Sequence, residues 1–122
     1  MSGLRLERIN EEMKKALGEV LQREVKDPRL NRMCSVLRVR LSNDFEHGKV
    51  YVSFFGDESE IPEAMRALRQ AGGFISSQAS KRIRLRRTPK LDFILDDSIA
   101  YGVYMSHKID EVMSTGKKNG DS

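Results

Sequence analysis

The 122-residue sequence has few of the residues that build disulfide-rich, metal-bound or membrane-embedded proteins. It contains no tryptophan and one cysteine, Cys34. A single cysteine excludes a disulfide within the chain and a multi-cysteine zinc site. No apolar run approaches the ~20 residues of a membrane-spanning helix, and the first residues lack a hydrophobic segment of the signal-peptide type. We therefore expect a cytoplasmic protein that has no membrane partner, no metal and no cofactor.

Acidic residues are missing from one part of the chain, between Arg66 and Lys90. This stretch carries eight of the 22 basic residues, whereas the other 14 are outnumbered by the 18 acidic ones. The net charge of +4 therefore understates a strongly positive segment, which is typical of proteins that bind a polyanion. We define the basic segment as the cations Arg66, Arg69, Lys81, Arg82, Arg84, Arg86, Arg87 and Lys90.

The length and the apolar fraction of 39% predict a single domain. A chain of this size buries roughly 65% of its unfolded surface, which is enough for one core. We place the domain at residues 1–113 and expect a monomer. Residues 114–122 contain no apolar side chain and are predicted to be a disordered tail.

The first half of the chain predicts a helix followed by a β-hairpin. Apolar residues recur at intervals of three and four from Leu6, and Asp27-Pro28 should end this amphipathic helix. Apolar and polar residues then alternate over residues 35–41 and 49–55, with turn-forming residues between them. The pattern indicates two antiparallel strands.

The second half predicts a kinked pair of helices and a third strand. An apolar stripe from Met65 to Ile83 passes through Gly72-Gly73 without losing its helical phase, which favours a kink over a loop. Thr88-Pro89 should end the helical segment, and residues 91–95 alternate as a strand. A short final helix is predicted after Asp97.

The predicted helix brings cations of the basic segment together. Arg82 and Arg86 would lie one turn apart, as would Arg84 and Arg87, and like charges at that spacing repel. Contact with an RNA backbone therefore explains the segment better than a solvated helix face does. Phe74, the one aromatic residue nearby, is expected in the core rather than as a base-stacking platform.

The order of elements is that of a type II KH domain, an α+β RNA-binding fold, and the sequence resembles the bacterial ribosome-binding factor A family from about Arg5 to Met113. In that family an Ala-x-Gly kink replaces the Gly-x-x-Gly loop of KH domains. Here Ala71-Gly72-Gly73 matches the kink, and no Gly-x-x-Gly occurs. The other matching fragments are Arg8-Ile9-Asn10, Val25-Lys26-Asp27-Pro28-Arg29-Leu30, Val50-Tyr51-Val52-Ser53, Gly73-Phe74-Ile75, Arg84-Leu85-Arg86, Pro89-Lys90-Leu91 and Asp96-Asp97-Ser98-Ile99.

The resemblance implies an assembly factor of the small ribosomal subunit. Such a factor binds the immature 30S particle through 16S rRNA, promotes late maturation and pre-16S rRNA processing without being a nuclease, and leaves before translation. The resemblance further implies a role in growth at low temperature, and release of the factor from the particle with the help of a ribosome-associated GTPase. Within the matching motifs, Arg8, Lys26 and Arg29 are candidates for additional rRNA contacts, although Asp27-Pro28 is also typical of a helix stop.

Two other classes of function stay open on the sequence. The same basic surface would serve a general RNA- or DNA-binding protein or an RNA chaperone. A hydrolase would need His47, His107, Cys34 or the adjacent pair Asp96-Asp97, but neighbouring residues of a strand point to opposite faces. No nucleophile or metal-ligand pattern is present, so we assign no catalytic residue.

Overall fold

A computed structural model of the chain describes residues 3–96 and has an α+β architecture. The predicted final helix and tail lie outside the described residues. In chain order the elements are α1 (Gly3–Arg23), α2 (Pro28–Asn31), β1 (Cys34–Leu41), β2 (His47–Phe54), a 3-10 turn (Glu58–Glu60), α3 (Ile61–Gln70), α4 (Gly72–Arg82) and β3 (Lys90–Leu95).

The first helix forms because its apolar residues fall on one face and meet the rest of the core. Met13, Leu17 and Val20 are fully buried on that face, as the helical spacing predicts. The helix ends at Arg23, ahead of Asp27-Pro28. Asp27 then caps the single turn α2, where its carboxylate accepts a hydrogen bond from the Arg29 amide at 2.9 Å.

The sheet has the strand order β1-β2-β3, with β1 antiparallel and β3 parallel to the central strand β2. The predicted hairpin is confirmed, and Val50, Val52 and Phe54 of β2 all point into the core. In β1 the pairing register shifts between Val36 and Arg38. This bulge places one extra residue in the strand and interrupts the alternation that the sequence predicts.

The helices pack on one face of the sheet. Helix α1 lies against β1 and α4, while α3 and α4 both contact β3. Their buried side chains, such as Leu68 and Ile75, join Val39, Val50 and Phe93 of the three strands in one hydrophobic cluster. The alternate side chains of the strands point to the opposite face, where most of them are exposed.

Helices α3 and α4 adjoin at one residue, Ala71, which has φ −87° and ψ 2°. The Ala71 amide donates to the Ala67 carbonyl at 3.0 Å, and its own carbonyl accepts from the Ile75 amide at 2.9 Å. The apolar stripe stays in phase across this junction. A Cβ at Gly72 would lie 3.2 Å from Cε2 of Phe93, whereas one at Gly73 would meet nothing within 4 Å.

The expectation that this helical segment runs to Arg87 is wrong, because α4 ends at Arg82. Arg84 adopts the left-handed conformation with φ 58°. Its amide donates to the Lys81 carbonyl at 3.2 Å, and the Leu85 amide donates to the Ser80 carbonyl at 2.9 Å. These two bonds form a Schellman motif, the usual helix ending with glycine at the left-handed position. An arginine stands there instead, so the sequence did not reveal the stop.

Candidate nucleic-acid interface

The eight cations of the basic segment do not share one helix face. Arg66 and Arg69 lie on α3, and Lys81 and Arg82 lie in the last turn of α4. The connection after α4 carries Arg84, Arg86 and Arg87, and Lys90 begins β3. The predicted pairing of Arg82 with Arg86 and of Arg84 with Arg87 at one helical turn is therefore wrong.

Arg82 joins α4 to the C-terminal part of α1. Its Nη1 lies 3.1 Å from Oε1 of Glu19, and its Nη2 lies 2.5 Å from Oε2 of Glu24. The Arg82 side chain is 30% exposed. Two charge-assisted hydrogen bonds hold the guanidinium against α1, so Arg82 already has anionic partners within the protein.

Three other cations of the basic segment are also occupied. Arg66 pairs with Glu63 at 3.1 Å, and Arg87 pairs with Glu46 of the β1–β2 turn at 2.7 Å. Arg69 donates to the backbone carbonyl of Phe93 at 3.3 Å. The acidic partners that the basic segment itself lacks thus come from outside it: Glu63 lies just before the segment, and Glu46 lies in another element.

The remaining four cations are exposed and form no ion pair with any described residue: Lys81, Arg84, Arg86 and Lys90. We call Lys81, Arg84 and Arg86 the α4-end cations, because they cluster along the chain where α4 ends. Lys90 belongs to the sheet instead. Arg84 also lines a shallow hollow between α1 and α4 with Lys15, Glu12 and Glu19.

Of the additional candidates, Arg29 has a structural role in the fold. Its Nη2 lies 2.8 Å from Oδ2 of Asp27, and Glu63 lies 3.8 Å away. The hydrogen bond from the Arg29 side chain lowers the pKa of Asp27, and the same bond raises the pKa of Arg29. Arg8 and Lys26 are exposed and unpaired within the described part of the chain.

Phe74 does not lie in the core, so that expectation is wrong. The residue is 49% exposed, beside the junction of α3 and α4. The buried positions of α4 are Ile75, Ser76, Ala79 and Ser80, and Phe74 falls outside this stripe because each helical residue turns the side chain by about 100°. The exposed ring is therefore available to a partner.

The residues considered for hydrolysis do not form a site among residues 3–96. His47 is exposed at the start of β2. Burial raises the pKa of the Cys34 thiol to about 12, so the nucleophilic thiolate is scarce at neutral pH. No group of three metal-ligating side chains occurs in this part of the chain. Asp97 and His107 lie outside it.

A second basic surface, not predicted from the sequence, lies on the face of the sheet that the helices leave open. Arg38 and Arg40 alternate with buried residues along β1, and Lys49 does so along β2. The sequence contains a signal for this surface, since Arg38 and Arg40 stand at alternate positions of β1 and Lys49 stands at an outward position of β2. The signal is weak because these cations are dispersed among the acids of the first half of the chain.

Comparison with known proteins identifies the family. The profile of the family described as "Ribosome-binding factor A" matches residues 5–109. The chain belongs to this family. A ribosome-binding factor A of Acetivibrio thermocellus is 39% identical over 117 residues, which cover 96% of this chain and 95% of the relative.

Solved structures of the family share the fold. The crystal structure of ribosome-binding factor A from Thermus thermophilus is 36% identical and has a TM-score of 0.62, covering 72% of this chain and 92% of its own. A homology model of the Thermus thermophilus ribosome-binding factor A, fitted into the cryo-EM map of its complex with 30S, is 35% identical. Its TM-score is 0.61, and the match covers 75% of this chain and 96% of the other. No helix within residues 3–96 of this family member has the length and apolar composition to cross a membrane.

Proposed function

We propose that the protein binds the immature 30S ribosomal subunit through 16S rRNA and promotes late maturation of that subunit, including pre-16S rRNA processing, without being a nuclease. The observation that carries the proposal is family membership over residues 5–109. It is supported by the Thermus thermophilus relative, which was fitted into a map of a 30S complex.

The fold assignment within this proposal is a type II KH-like domain. The order of helix, two strands, adjoining helix pair and third strand supports it. In this assignment Ala71-Gly72-Gly73, at the junction of α3 and α4, serves as the Ala-x-Gly kink in place of a Gly-x-x-Gly loop. The junction sets the direction of α4 and so the position of the α4-end cations.

The α4-end cations Lys81, Arg84 and Arg86 are the proposed centre of the rRNA contact. They are exposed and have no anionic partner among the described residues, so phosphate would not have to displace a carboxylate. Arg66, Arg69, Arg82 and Arg87 would contribute mainly through the fold. Cations can contact phosphate in any sequence, and selectivity for one rRNA region would come from its shape.

The mechanism in this proposal is electrostatic docking followed by preferential binding of one rRNA conformation. A bound factor shifts the folding of the particle only by the difference between its affinities for the two states. The immature particle must therefore bind more tightly than the mature one. Release assisted by a ribosome-associated GTPase, support of growth at low temperature, action as a monomer and a cytoplasmic location belong to the same proposal.

Co-sedimentation with purified 30S, 50S and 70S particles at moderate salt, with excess tRNA as competitor, tests the partner. Selective retention on 30S supports the proposal, and stronger retention on immature than on mature 30S supports the mechanism. Displacement by tRNA or duplex DNA at equal mass would indicate a general nucleic-acid binder instead. Retention on no particle would contradict the proposal.

A matched pair of double variants tests the contact surface. Arg84→Gln with Arg86→Gln removes two α4-end cations, whereas Arg23→Gln with Arg32→Gln removes two exposed cations that lie in neither candidate set. Both pairs lower the net charge by two. We expect only the first pair to weaken binding to 30S, and an equal loss in both would mean that net charge alone is responsible.

A further inference from the structure

The open face of the sheet carries a compact arrangement of charge and one aromatic ring. We define the outer sheet face as Arg38, Arg40, Lys49, Tyr51, Lys90 and Asp92. Register places Arg40, Lys49 and Asp92 side by side across the three strands, and Arg38 beside Tyr51 in the next row. All of these residues are exposed except Tyr51, which is half-buried.

The charges of the outer sheet face are not satisfied within the described part of the chain. Arg40 lies directly opposite Lys49, and like charges at this position destabilise a sheet. Asp92 is the only carboxylate of the face, and neither it nor any of the four cations forms an ion pair with a described residue. The fold therefore maintains an unfavourable cluster of positive charge here.

A groove and a stacking surface adjoin these cations. Arg40, Lys49, Tyr51, Lys90 and Asp92 line a shallow depression of about 600 Å³. The guanidinium carbon of Arg38 lies over the Tyr51 ring, 4.4 Å from its centre, which is a cation–π contact between the two side chains. Planar side chains beside a basic groove are the arrangement that binds single-stranded nucleic acid.

Since RNA is the ligand in the function proposed above, we propose that the outer sheet face binds single-stranded RNA as a second contact surface. Arg40, Lys49 and Lys90 contact phosphates, and a base stacks on the Arg38–Tyr51 pair. An acidic protein partner fits less well, because the centre of a protein interface is depleted of charge, whereas Arg40, Lys49 and Asp92 occupy the centre of this face.

Fluorescence anisotropy with a labelled single-stranded RNA of about ten nucleotides tests the proposal, with the full chain and a duplex RNA competitor. Arg40→Gln with Lys49→Gln should reduce the magnitude of the slope of log K against log salt by about 1.4, since each lost contact removes about 0.7. Tyr51→Leu should weaken binding by about fivefold or more. The proposal would be overturned if both variants bound the single-stranded RNA as the original protein does. It would also be overturned if duplex RNA displaced the labelled single strand and unlabelled single-stranded RNA did not.

Asp92→Asn is a control in which RNA binding is expected to become tighter, a change that loss of folding cannot produce. It removes the only carboxylate from the face and should tighten RNA binding by about twofold, the effect of one repulsive surface charge. Equal or weaker binding by this variant would contradict the proposal. If the protein binds the oligonucleotide but not 30S, only the proposed function is refuted. If it binds 30S but the variants of the outer sheet face leave its affinity for the oligonucleotide unchanged, only this inference is refuted.

Discussion

Arg82 and Glu24 join the last turn of α4 to the chain just beyond α1, with 2.5 Å between Nη2 and Oε2. The same guanidinium reaches Glu19 on α1. One side chain of the basic segment therefore connects two helices that are far apart in the sequence. Its position explains how an arginine that looks like an RNA ligand in the sequence contributes to the fold.

Arg82→Gln should lower the free energy of unfolding by about 1 kcal/mol, because two partly exposed ion pairs are lost. Urea denaturation measures the change, and Arg86→Gln, which breaks no ion pair with a described residue, should leave stability unchanged. Binding of folded Arg82→Gln to 30S should be close to that of the original protein. A variant with normal stability and weak 30S binding would instead make Arg82 an RNA ligand.

Arg84→Gly should raise the free energy of unfolding by about 0.5–1 kcal/mol, since glycine adopts the left-handed conformation without the steric penalty of a side chain. The same variant should bind 30S less tightly, because it removes an α4-end cation. Thermal unfolding and co-sedimentation measure the two effects. Their opposite signs separate binding from stability, and a destabilised variant would show that the Arg84 side chain makes stabilising contacts.

The Asp27 carboxylate should make stability depend on pH at the acid end. Its pKa is lowered in the folded state from the ordinary value of 3.8 by hydrogen bonding to Arg29. The contribution of Asp27 to the free energy of unfolding is therefore complete at a pH above the pKa of the unfolded chain. It is lost as the pH falls below 3.8 and passes through the lower pKa of the folded state. Urea titrations from strongly acidic to neutral pH should show a smaller acid loss in Asp27→Asn than in the original chain; an identical loss would contradict the assignment.

Gly72 and Gly73 should respond differently to alanine. At Gly73 the new Cβ meets open space, and replacing glycine in a helix is favourable by up to about 1 kcal/mol. At Gly72 the Cβ would lie 3.2 Å from Cε2 of the buried Phe93 ring, so the ring would have to yield by a few tenths of an ångström, which offsets the gain in helix propensity. Urea denaturation should therefore give a higher free energy of unfolding for Gly73→Ala than for Gly72→Ala. Equal values would mean that the Phe93 ring can shift.

The dependence of 30S binding on salt should report how many cations contact phosphate. The three α4-end cations alone on phosphates give a slope of log K against log salt of about −2 to −3, and three further contacts from the outer sheet face make it about −4 to −5. Six contacts from the basic segment would give the same steeper slope, but Arg40→Gln with Lys49→Gln reduces the slope only where the outer sheet face contributes. Co-sedimentation over a series of potassium chloride concentrations distinguishes these outcomes, and a flat response would mean that the α4-end cations do not touch RNA.

Much of the fold could be predicted from the sequence because burial imposes a period. The buried faces of α1, of β2 and of the α3–α4 pair all follow their apolar spacing. The end of α4 could not be predicted, since its left-handed residue is Arg84 rather than glycine. Phe74 is a second case, because its hydrophobicity favours the core whereas its phase on the helix turns the side chain outward.

The candidate site was predicted only in part, because charge along a sequence does not show which charges meet in space. Glu19, Glu24 and Glu46 lie far from the basic segment in the chain, yet they pair with Arg82 and Arg87. Such partners depend on tertiary contacts that no local pattern contains. The unpaired cations therefore emerged only from the structure, as did the outer sheet face.

The parallel pairing of β2 with β3 has a consequence for the order of folding. β1 and β2 are neighbours in the chain and can form their hairpin locally, but the second edge of β2 waits for a strand that begins at Lys90. Closing that long connection carries an entropy penalty before any contact compensates for it. During synthesis the pairing of this edge therefore has to wait until residues 90–95 have been made, whereas the hairpin of β1 and β2 needs no residue beyond Phe54.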